Sequence, residues 1–98
     1  MKSPSNCLSL KEIRQSIDLI DSQIIALLGM RYEYVKEVIK YKEPTEESIQ
    51  AKERFDNVIA TRREMAEKAG LDPDVIENIY RCLMGYFINE ELKLIKNK

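Results

Sequence analysis

Arg31 and Lys42 are the residues whose types and spacing first suggest chemistry in this chain of 98 residues. They stand 11 positions apart, about three turns of helix, so on one helix they project from nearly the same face. About 16 Å of axis separates them, and both side chains are long enough to converge on a small anion held between. Arg14 lies 17 positions before Arg31, about 25 Å away on the same rod. It cannot join that site within one chain, but the Arg14 of an antiparallel second copy can. Arg54, early in the next stretch, is placed to close the cluster. A guanidinium fork binds a carboxylate through two parallel hydrogen bonds, so arginines in this arrangement suit a carboxylate-bearing ligand. The plainer alternative makes all four ordinary solvated cations among the 16 Lys and Arg residues, since many such pairs share a helix face.

The rest of the composition narrows the chemistry. There is no histidine, which removes histidine general bases, Ser-His triads and histidine-ligated metals. The net charge of −1 provides no global basic field to draw the chain to nucleic acid or anionic lipid. Cys7 and Cys82 are 75 positions apart with no CxxC spacing, and are expected as reduced thiols, one near the terminus and one buried. No run of about 18 apolar residues is present, and Met1 to Asn6 lacks an apolar signal core. The expectation is a cytoplasmic protein with no nucleic-acid or membrane partner and no histidine-ligated metal.

Three stretches with helical periodicity must position these cations, separated by Pro44 and by Gly70 with Pro73. There is no internal repeat, and the length allows one domain, residues 1–98. The first stretch opens on Ser9-Leu10-Lys11-Glu12, an S-x-x-E capping box. Ile13, Ile17, Ile20, Ile24, Leu27, Leu28, Tyr34, Val35, Val38 and Ile39 follow mostly three and four apart, which predicts a helix from Leu10 to Lys42. The second carries Ile49, Phe55, Val58, Ile59, Met65 and Ala66 and ends at Lys68-Ala69-Gly70, a basic last turn before a glycine. The third starts at Asp72-Pro73, an N-cap followed by proline at the first helical position. Its apolar residues run from Val75 and Ile76 to Leu92 and Ile95. A first helix of about 33 residues is about 50 Å long, whereas a compact chain of this size has a radius of gyration of about 13 Å. Its apolar stripe therefore needs a partner surface, and a symmetric homodimer with long helices side by side supplies one. A kink near Gly29, folding the helix back into an ordinary bundle, is the alternative.

The chain resembles the all-helical chorismate mutase class, and within it the isochorismate-pyruvate lyases of salicylate biosynthesis. The resemblance covers essentially the full length. It rests on Ser3-Pro4 with Cys7, on the run Ile13-Arg14-Gln15-Ser16-Ile17-Asp18-Leu19-Ile20-Asp21, and on Arg31-Tyr32-Glu33-Tyr34-Val35-Lys36. It continues through Lys42, Glu53-Arg54 and Gly70-Leu71-Asp72. It implies three helices per chain in an interlocked all-α homodimer, acting without a cofactor on the dicarboxylates chorismate or isochorismate. Both rearrangements are pericyclic and need no nucleophile. The protein orients a coiled conformer and stabilises charge that grows on the ether oxygen. The resemblance further implies that the partner subunit's Arg14 and Arg31 take carboxylates, that Lys42 donates to the ether oxygen and a carboxylate, and that Arg54 lies near the ring.

Two positions depart from the family pattern. Where the family carries a glutamine that donates to the ether oxygen opposite the lysine, the gapless match puts Glu91, and a carboxyl group donates only when protonated. Alternatively, Glu90-Glu91 is an acidic pair in a solvated helix end. Around Arg54, where mutases carry acidic residues for the ring hydroxyl, this chain has Ala51 and Phe55. That apolar wall favours isochorismate-pyruvate lyase with secondary chorismate mutase activity over a plain chorismate mutase. A noncatalytic helical dimerisation module is the third reading. The polar linker Glu43 to Ser48, directly after the lysine, has the composition of a lid.

Overall fold

The computed structural model describes residues 1–45, 47–48 and 51–96. Among these every regular element is helical: α1 (Leu10–Val38), α2 (Lys52–Lys68) and α3 (Pro73–Lys96), with short 3-10 turns at Pro4–Asn6 and Ile39–Tyr41. The expected all-α chain of three helices is therefore present. Ile49 and Glu46, which the sequence placed in the second stretch and the linker, lie outside the described residues. The contacts divide the chain into two compact units, Met1–Tyr34 and Val35–Lys98.

In the first unit the N-terminal segment is tied to the start of α1. Ser9 Oγ accepts from the Glu12 N–H at 3.1 Å, and the Glu12 carboxylate accepts from the Leu8 N–H at 2.6 Å. The predicted capping box is thus built, with its return bond falling one residue earlier than the N-cap. Lys2 adds an exposed ion pair to Glu12 at 3.2 Å. No residue of α1 is buried. Its stripe lies open to solvent: Ile17 and Ile24 are 50% and 48% exposed, and Ile20 and Leu27 are exposed beside them.

In the second unit α2 packs along α3, and α3 also meets the 3-10 turn. Val58, Ile59 and Met84 form the core, with Phe55 and Tyr80 against it. The chain between the two helices reverses through a Schellman motif. The Leu71 N–H donates to the Ala66 carbonyl at 2.8 Å and the Gly70 N–H to the Glu67 carbonyl at 3.1 Å, with Gly70 at φ +76°. Asp72 then caps α3, its Oδ1 accepting from the Asp74 N–H at 2.8 Å.

Three expectations are corrected. Regular helix ends at Val38 instead of Lys42, because the chain tightens into the 3-10 turn and Lys42 is already extended at φ −100°, ψ 146°. Pro44 accounts for this: its ring excludes helical geometry from the residue before it, and the last turn tightens to close its own carbonyls. At the start of α2, Ala51 takes a left-handed conformation, φ 41° and ψ 63°, which separates the helical residues 47 and 48 from α2. Cys82, expected in the core, is exposed. With Val75, Ile79 and Tyr86 it forms an uncovered edge of α3, at spacings of four, three and four.

Candidate functional site

The core stripe of α3 continues past Met84 and Phe87, three and four residues apart, onto Glu91. The position that would extend the apolar face is a carboxylate, and Glu91 is 7% exposed. A buried carboxylate is costly unless paired, so its presence there marks a site that the fold alone does not require. The solvated-pair reading of Glu90-Glu91 therefore fails for Glu91, whereas Glu90 meets Lys93 at the surface at 3.4 Å.

Glu91 is paired. The Lys42 Nζ donates to Glu91 Oε2 at 3.2 Å, with only 20% of the lysine side chain and 9% of the glutamate side chain exposed. The early end of α1 makes this possible. Lys42 leaves the helical path as the C-cap of the 3-10 turn, its N–H bonded to the Ile39 carbonyl at 3.3 Å, while the buried Ile39 anchors the turn. The structure thus brings together the two residues named for the ether oxygen, 49 positions apart in sequence.

Arg54 stands exposed in the first turn of α2. It lines an open groove of about 720 Å³ with Ala51, Lys52, Glu53 and Asn57. Its neighbour Phe55 turns inward onto the core. Arg14 and Arg31 lie on α1 in the first unit, Arg14 exposed and Arg31 half-buried.

A charged network behind Phe55 was missed by the sequence reading. Arg81 Nε donates to Glu77 Oε2 at 2.7 Å, and Arg63 donates to Glu77 Oε1 at 2.7 Å and to Asp74 Oδ1 at 2.9 Å. The Arg81 guanidinium also lies 5.7 Å from the Phe55 ring centroid. Hydrogen bonds from Arg81 and then Arg63 hold the Glu77 carboxyl below its ordinary value, while Asp74 and then Glu77 raise Arg63. The four-residue spacing of Glu77 and Arg81 was the available signal. The network joins α2 to α3 and stiffens the wall that carries Phe55.

A family model described as chorismate mutase type II matches residues 13–92, which contain all five candidate residues. The chain belongs to the type II chorismate mutase family. It is accordingly an enzyme of the chorismate mutase and lyase type. It is 37% identical over 93 residues to the isochorismate pyruvate lyase of Pseudomonas aeruginosa, covering 95% of this chain and 91% of that protein. It is also 40% identical over 76 residues to the T-protein of Haemophilus influenzae and 37% over 75 residues to that of Enterobacter agglomerans. Those matches take in 78% and 76% of this chain and about a fifth, 20%, of each T-protein. Among the described residues no helix is long and apolar enough to cross a membrane.

Proposed function

We propose that this family member is an isochorismate-pyruvate lyase, converting isochorismate to salicylate and pyruvate, with a secondary chorismate mutase activity. The observation that carries the reading is the similarity to the Pseudomonas aeruginosa lyase, which extends over nearly the whole of both chains. The apolar wall at Ala51 and Phe55 supports it, because Phe55 is held against the core by packing and by Arg81 and offers nothing polar to a ring hydroxyl.

In the lyase reaction the ether C–O bond breaks, a ring hydrogen moves to the side-chain methylene carbon, and the ring becomes aromatic. Electron density builds on the ether oxygen as its bond to the ring lengthens. Lys42 donates to that oxygen from one side, where a fixed positive charge lowers the barrier most. Glu91, when protonated, donates from the other. Arg31 and the partner subunit's Arg14 hold the two carboxylates bidentately and keep the reacting ends close. Arg54 lies near the ring.

The active form is a homodimer. The uncovered apolar stripe of α1 supports this, since an exposed face of that length in a soluble chain marks an interaction surface.

The deciding experiment assays the purified enzyme separately with isochorismate and with chorismate. Fluorescent salicylate from isochorismate, with slower prephenate formation from chorismate, is the expected result. Prephenate alone makes the enzyme a chorismate mutase.

A further inference from the structure

Arg54 stands in the least secured part of α2. The helix starts at Ala51, which is left-handed at φ 41° and ψ 63° and gives no side-chain cap. The leading N–H groups of a helix have no partner within it, so an uncapped first turn is weakly held. Arg54 follows three residues later and lines the open groove. A cation on a weakly held turn binds a ligand poorly, because its orientation must be fixed again at each encounter.

The next residue supplies what the cap does not. The Phe55 N–H closes the first turn on the Ala51 carbonyl at 2.9 Å, and the Phe55 side chain packs against Val58, Ile59 and Met84. The Arg81 guanidinium lies over the Phe55 ring, 5.7 Å from its centroid. Arg81 is itself fixed by the bond from its Nε to Glu77 Oε2, and the other oxygen of Glu77 accepts from Arg63 of α2. Neighbours on a helix point about 100° apart, so a fixed Phe55 sets the direction in which Arg54 leaves the helix. The Arg81 side chain is 51% exposed, and ion pairs this open contribute little to global stability. The effect of the contact is local.

We propose that Arg81 is a positioning residue that acts through Phe55 to hold the first turn of α2, and with it Arg54, in place of an N-cap. The inference rests on the assignment of Arg54 to the substrate site. A second arginine–aromatic contact of the same kind also joins α2 to α3: Arg62 lies 5.7 Å from the Tyr80 ring centroid. Arg62 stands eight residues beyond Arg54, about 12 Å farther along α2, and provides the control.

Steady-state kinetics on Arg81→Gln, with isochorismate or chorismate, should show KM raised about three- to tenfold and kcat changed by about twofold at most. Arg62→Gln loses an equivalent contact and should keep the wild-type KM. The deciding measurement is the double-mutant cycle with Arg54→Ala. Arg81→Gln should raise KM no further once Arg54 is gone, because its effect passes through that side chain. An unchanged KM in Arg81→Gln, an equal rise in Arg62→Gln, or full additivity with Arg54→Ala overturns the proposal while leaving the site assignment standing. An Arg54→Ala enzyme with wild-type KM and kcat removes Arg54 from the site and the proposal with it. Should Arg81→Gln not fold, Phe55→Leu, which keeps apolar packing and removes the ring, takes its place in the cycle with the same expectations.

Discussion

On the proposed mechanism, replacing Lys42 with alanine takes a positive charge from the place where the transition state develops a negative one. Losing one such donor costs about 100- to 1000-fold in kcat. Steady-state kinetics on Lys42→Ala should show that loss with a much smaller change in KM. The same substitution strands the Glu91 carboxylate in the protein, so it should also lower the melting temperature. Adding Glu91→Gln should recover the stability and leave the rate low, which separates the two roles of the lysine. Lys42 and Arg54 were nameable from residue type and spacing and Glu91 through the resemblance, but the bond between Lys42 and Glu91 was not. No periodicity links residues 49 positions apart. The burial of Glu91 was closer to legible, since it falls on the register of Met84 and Phe87.

Helix ends and the bonds between helices set the expectations at the next scale. Gly70 sits at φ +76°, where a Cβ meets no neighbouring atom but strains its own backbone. Gly70→Ala should cost about 1–2 kcal/mol, read as a melting temperature several degrees lower. Ala51, at φ 41°, already carries that strain, so Ala51→Gly should leave the melting temperature unchanged or raise it. The opposite signs of two exchanges between the same residues are the test. Glu77 provides a pH dependence. Its carboxyl lies below the ordinary 4.5 in the folded chain because Arg81 and Arg63 bond to its ionised form. The unfolded chain binds the proton more readily, so this contribution is present above about 4.5 and is lost as the pH falls through the lower folded value. Melting curves between pH 7 and pH 3 should therefore show a smaller acid loss for Glu77→Gln than for the wild type. These three helix ends were legible because Ser9, Asp72 and Gly70 are residue types that those positions select. The break at Ala51 was not, since alanine favours helix and seldom takes a left-handed conformation. The end of α1 was misjudged because periodic Val38 and Ile39 mask a turn that Pro44 imposes from farther along.

At the scale of the whole molecule, the separation of Arg14 from Arg31 along α1 predicts subunit complementation. Arg14→Ala and Arg31→Ala enzymes, each inactive alone, should regain activity when mixed and allowed to exchange. A heterodimer contains one site with both arginines intact, so equal mixing should restore about a quarter of the wild-type rate. No recovery after exchange has been verified by mass spectrometry would confine each site to one chain. The length mismatch led to the expectation of a second copy, whereas the extent of the open surface on α1 was not legible. The sequence marks Val75, Ile79 and Met65 as apolar in the same way as their buried neighbours, and all three are more than half exposed. With no buried residue, α1 gains little by forming alone. Refolding should consequently follow second-order kinetics. The half-time for regaining activity after dilution from denaturant should shorten in proportion to protein concentration, while the early gain of helical signal from α2 and α3 should not change with it.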